Sequence, residues 1–138
     1  MLAWLTSDFF TAFSPLWTVY EREGLDAGQQ QLLRTLGTEN VNKAAAHLDR
    51  LLAGRDWLLG EQRSVADAYL AGVARWISYL RVYDLDAKTP HLARHLTKLE
   101  QDPAVQFAHA VERGGSPAGA GHFKGHVQWK ELRPLFAA

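Results

Sequence analysis

Leu2, Leu5, Phe9, Phe13, Leu16 and Tyr20 recur at steps of three and four, the spacing that gathers side chains on one face of a helix. Pro15 falls inside this row, where a proline removes one hydrogen bond and crowds the preceding turn, so a kink is expected there. The polar run Glu21-Arg22-Glu23-Gly24 closes the segment. Asp26 then stands where an N-cap belongs, and Gly37 predicts a break or bend inside the second helix. Beyond it Val41, Ala44, Ala45, Leu48, Leu51 and Leu52 keep helical spacing until Gly54 stops them. A third helix is expected from Ser64 through Val65, Tyr69, Val73, Trp76, Ile77 and Leu80. Thr89-Pro90 and Asp102-Pro103 each read as a cap followed by proline at the first helical position. The first opens a helix with Leu92, Leu96 and Leu99, and the second a short helix ending near Glu112.

The pattern changes at 114–121, where GGSPAGAG holds only Gly, Ala, Ser and Pro and reads as a connector. The tail after it carries Phe123, Val127, Trp129, Leu132, Leu135 and Phe136, enough apolar surface to dock onto a body. The expectation is an all-α helical bundle over 1–113, with a Gly-rich connector and tail over 114–138. Composition narrows the partners. Fifteen basic and fifteen acidic residues cancel in the 138-residue chain, which argues against nucleic acid and an anionic membrane surface as partners. There is no cysteine, so thiol chemistry, thiolate metal sites and disulfides are excluded. The N-terminus lacks a basic n-region and carries Asp8, which makes a poor signal peptide. No stretch approaches the roughly 18 to 20 apolar residues of a membrane span. A soluble, cytoplasmic protein is expected.

Ser64-Val65-Ala66-Asp67 has the spacing of a capping box, in which the side chains three residues apart each accept a backbone N–H at a helix start. Around it, WLLGEQRSVADAYLAGVARW resembles the centre of the C-terminal helical domain of cytosolic glutathione S-transferases, closest to the bacterial beta class. AFSPLW at 12–17 is similar to the kink of that domain's first helix, and LEQDPAVQFA at 99–108 to the segment leading into its last helix. The resemblance covers about residues 1–112.

The resemblance implies a partner half, a thioredoxin-like domain that binds most of glutathione and supplies the group that activates its thiol. Met1 stands close to the start of the first helix, so that half is expected to be missing from this chain. The chain itself is expected to carry no catalytic residue, no metal and no cofactor, with glutathione a co-substrate only when the other half is supplied. A beta-class His falls on Phe10 and an Asn on Ala3, and neither replacement can hydrogen-bond glutathione. A Glu that reaches across the dimer falls on Asp8, the one glutathione-contact candidate. The apolar acceptor wall falls on Trp17, Tyr69 and Trp76, with Phe13 and Phe10 beside them. The resemblance therefore implies an apolar electrophile pocket and a homodimer surface, inactive as this chain alone. The alternative is a stand-alone helical module that binds a protein or a small apolar ligand.

Other polar clusters read as structural. His91 with His95, and His122 with His126, have the spacing of two zinc ligands on one helix face, but neither has a third ligand in sequence. His91 and His95 are expected on a solvated face. Asp84 and Asp86 precede a proline in a turn, which favours capping over acid–base chemistry.

Overall fold

The computed structural model describes residues 1–117 and 129–136. Among the described residues all regular structure is helical, apart from one isolated bridge between Trp57 and Gly60. The chain divides into two units, Met1–Leu99 and Glu100–Ala138.

The first unit opens with α1 (Leu2–Trp4), a π-helical turn (Leu5–Phe9), α2 (Phe10–Ala12) and α3 (Ser14–Glu21). In the wide turn Phe10 N–H bonds to the carbonyl of Leu5, five residues back. One extra residue per turn shifts the helical phase. Leu5, Phe9, Phe13 and Leu16 are buried, whereas Leu2 ahead of the wide turn and Tyr20 at the far end are exposed. The apolar row thus holds in its middle and fails at both ends. The expected break falls at Phe13, immediately ahead of Ser14 and Pro15 at the start of α3.

Helix α4 (Ala27–Leu52) runs unbroken for 26 residues from a capping box of Asp26 and Gln29. Gly37 does not interrupt it, so of the break or bend expected there the break does not occur. A Cβ added at Gly37 would lie 2.5 Å from Leu16 Cγ, so this glycine lets α3 approach α4 closely. Val41, Ala45, Leu48 and Leu52 continue the buried stripe below it.

The rest of the unit comprises α5 (Val65–Ala74), α6 (Trp76–Tyr79), α7 (Leu85–Lys88) and α8 (Pro90–Glu100, whose last residue falls in the second unit). The expected continuous helix through Leu80 is interrupted at Arg75. The ends of α4 and α8 satisfy each other's free backbone groups. Asp49 Oδ1 accepts from His91 N–H at 2.8 Å and Leu92 N–H at 2.9 Å, while Arg94 donates to the Leu52 carbonyl at 3.2 Å.

The capping box at α5 forms as expected, but Asp67 does more than cap. Its carboxylate is fully buried. Oδ2 accepts from Ser64 N–H and Ser64 Oγ–H, each at 2.9 Å, and Oδ1 accepts from Leu58 N–H at 2.9 Å. His95 Nε2 of α8 lies 3.1 Å from the same Oδ1. His95 is therefore buried, which corrects its placement on a solvated face. Beside it Lys98 stacks 3.6 Å above the Trp57 ring centroid and bonds the Asp56 carbonyl. One carboxylate thus ties α5, the 57–60 turn and α8 together.

In the second unit α9 (Pro103–Glu112) starts from Asp102, whose Oδ1 accepts from Ala104 N–H at 2.8 Å. His109 Nδ1 lies 3.1 Å from Glu100 Oε2. Helix α10 (Trp129–Phe136) completes it. His122, His126, Phe123 and Val127 lie outside the described residues.

Two outcomes follow from this packing. Gly37→Ala gains about 1 kcal/mol of helix propensity but overpacks against Leu16, which costs about 1–3 kcal/mol. Its denaturation midpoint should fall, and a rise would contradict the close approach. Burial lowers the pKa of His95 more than Asp67 raises it. The folded pKa then lies below the unfolded value of about 6.5, so the unfolded chain takes up a proton first as the pH falls. Stability complete above about pH 6.5 should decline on acidification towards the folded pKa. His95→Gln should flatten that decline in thermal melts; an equally steep decline would contradict it.

Candidate functional site

Three side chains of the first helical segment lie on one face, at Phe10, Phe13 and Trp17, and all three meet Trp76 of α6. Ring centroids are 5.2 Å apart for Phe10–Trp76, 5.5 Å for Phe13–Trp76 and 5.1 Å for Trp17–Trp76. The last two pairs are edge-to-face, the arrangement that aromatic quadrupoles favour. The break at Arg75 starts α6 afresh at Trp76. Phe13 is fully buried and forms the floor, Phe10 is 42% exposed, and Trp17 and Trp76 are half-buried. The result is an aromatic shelf with a cleft of about 380 Å³ lined by Trp17, Arg75, Trp76 and Tyr79.

The cleft's lining residues carry three polar groups, the Arg75 guanidinium, the Tyr79 hydroxyl and the Trp17 indole N–H. Trp17 Nε1–H is buried without a hydrogen-bond partner among the described residues. A buried donor left unpaired costs free energy. Tyr69, like Trp17 and Trp76, packs against the core cluster that contains Phe13. Ser64 and Asp67 line no part of that cleft; they hold the start of α5, the Leu58 N–H and the His95 ring instead.

Asp8 lies elsewhere. It lines a separate cleft of about 420 Å³ with Trp4, Thr11, Asn40, Lys43, His47 and Arg50. Trp4 packs on the His47 ring at 4.8 Å, tilted by 50°. Asp8 accepts a hydrogen bond from Ser7 Oγ–H.

Sequence reasoning missed Tyr79. It lies three residues beyond Trp76, packs 5.8 Å from Trp17 and shares a 2.6 Å hydroxyl–hydroxyl hydrogen bond with Tyr20. Its spacing after Trp76 was the available signal. Among the described residues no cluster of three His, Cys, Asp or Glu side chains is arranged to hold a metal, and no helix is long and apolar enough to cross a membrane.

The first unit is thus an all-helical domain with a first segment broken after a π turn, a long second helix, a capped central helix and an aromatic shelf between the first segment and α6. Residues 20–98 match the glutathione S-transferase C-terminal domain. The chain belongs to that family. Among solved structures it is similar to a sphingomonad glutathione S-transferase complexed with glutathione, at 33% identity and a TM-score of 0.67. It is also similar to BphK, a bacterial glutathione S-transferase in a ternary complex, at 28% identity and a TM-score of 0.65. A glutathione transferase from Methylococcus capsulatus str. Bath matches at 28% identity and a TM-score of 0.64. Each match covers 80% of this chain and 50% of the other, so the chain spans about half the length of these relatives. No curated protein sequence matches it.

Proposed function

We propose that this domain supplies the apolar wall of an electrophile site in a glutathione S-transferase-like protein, and part of that protein's dimer surface. The observation that carries this reading is the shelf of Phe10, Trp17 and Trp76 over Phe13, with ring centroids 5.1 to 5.5 Å apart. Aromatic faces beside the polar ends of Arg75 and Tyr79 suit small, largely apolar electrophiles.

Conjugation also requires glutathione as thiolate, which calls for a donor or dipole that lowers its thiol pKa. Phe10, where the resemblance places a beta-class His, has no hydrogen-bonding atom to offer the sulfur. Thiol activation belongs to a thioredoxin-like partner domain, and this chain alone is inactive. Asp8 sits in a different cleft from the shelf, which suits contact with glutathione held by another subunit rather than its own. Leu32 and Leu36, exposed one turn apart on α4, favour association into a homodimer.

The test is binding of 1-chloro-2,4-dinitrobenzene to the 138-residue chain, followed by tryptophan fluorescence, with glutathione conjugation measured in parallel. Saturable binding should weaken about tenfold in Trp76→Ala through lost stacking and area, while conjugation stays at the uncatalysed rate. Unchanged binding in that variant would remove the shelf from the acceptor site. Conjugation above background would show that this chain activates the thiol itself.

A further inference from the structure

A second cleft, of about 330 Å³, lies behind the tyrosine pair and is lined by Leu16, Tyr20, Arg34, Tyr79, Leu80 and Arg81. It takes residues from the end of α3, the first half of α4 and the turn after α6. Two guanidinium groups share this cleft, and among the described residues no carboxylate pairs with either. The Tyr20 and Tyr79 hydroxyls are 2.6 Å apart. Whichever donates, the other keeps an O–H free for a third group. The Tyr20 hydrogen bond pushes the Tyr79 phenol up, so Tyr79 remains a donor well above neutral pH.

Arg81 is the second observation. Its φ is +53°, and it is the one described non-glycine residue with a positive φ. Arg81 N–H bonds the Ser78 carbonyl at 3.1 Å and Val82 N–H the Ile77 carbonyl at 2.9 Å. That is the left-handed exit of a helix, where glycine fits with least strain. An arginine there spends backbone strain to place a cation at the cleft, and such strain is a recognised mark of a functional position.

We propose that this cleft binds the carboxylate of a small aromatic or aliphatic acid. Arg34 and Arg81 hold the carboxylate oxygens, the spare tyrosine O–H donates to them, and Leu16, Leu80 and the tyrosine rings cover the apolar body. Planar guanidinium groups suit a carboxylate by matched pairs of N–H donors. The volume fits a one- or two-ring acid, near the lower limit of small-molecule sites. Tyr79 borders both this cleft and the shelf's, whereas Arg34 and Arg81 line this one and Trp17 and Trp76 the other.

The experiment is calorimetric titration of the full chain with 2-naphthoate, and with 2-naphthol as a ring of similar shape without the charge. Naphthoate should bind saturably at one site and naphthol at least about tenfold more weakly, the scale of one charge-assisted contact. Arg34→Gln and Arg81→Gly should each weaken naphthoate about tenfold without changing naphthol. Arg81→Gly also relieves the positive φ, so it should melt no lower than the parent and cannot lose binding by unfolding. Trp76→Ala should leave naphthoate binding intact, which separates this site from the shelf. Equal affinity for naphthoate and naphthol, no saturable naphthoate binding, or full binding by both arginine variants would overturn the proposal.

Discussion

The buried carboxylate of Asp67 is the constraint on which the rest of the first unit depends. A carboxylate without exposure survives only where its lone pairs are filled. Here Ser64, Leu58 and His95 surround it, three positions from the helix start, the preceding turn and α8. Removing any one leaves a buried charge or a buried N–H unmatched, so the three elements hold one another in place. Since α5 leads through Arg75 to Trp76, the node also fixes where the aromatic shelf begins.

The shelf rests on a second local irregularity. The π turn over Leu5–Phe9 and the break at Phe13 let one segment serve two surfaces. Phe9, Phe13 and Leu16 turn into the core, while Phe10 and Trp17 face Trp76. Asp8 and Thr11 are left on another side, lining the cleft shared with α4. A regular helix would keep fewer of these roles apart. Gly37 answers the same geometry from α4 by making room for Leu16.

Much of this was legible in the sequence, for reasons that are local. Capping at Asp26, Ser64 and Asp102 depends on residues three apart or fewer, and each cap formed. The apolar stripes of α4 and the middle of the first segment follow from spacing alone. What could not be read was tertiary. Nothing near Asp67 in sequence announces His95, and nothing near His91 announces Asp49 as the acceptor for its N–H. Gly37 was misread because a glycine that breaks a helix and one that admits a neighbour look alike until the neighbour is known. Trp17 and Trp76 carried the family resemblance, and the structure brings their rings together. Tyr79, which also borders the shelf's cleft, was passed over.

Equilibrium urea unfolding of Asp67→Ala beside Ser64→Ala tests the role of the carboxylate most directly. A cap alone is worth about 1 kcal/mol, and that is the loss expected for Ser64→Ala. Asp67→Ala strips the acceptor from Leu58 N–H and Ser64 N–H and removes the carboxylate 3.1 Å from His95 Nε2, and should cost about 3–5 kcal/mol, the range for breaking a buried charged contact. Equal losses for the two variants would show that Asp67 is a helix cap and nothing more.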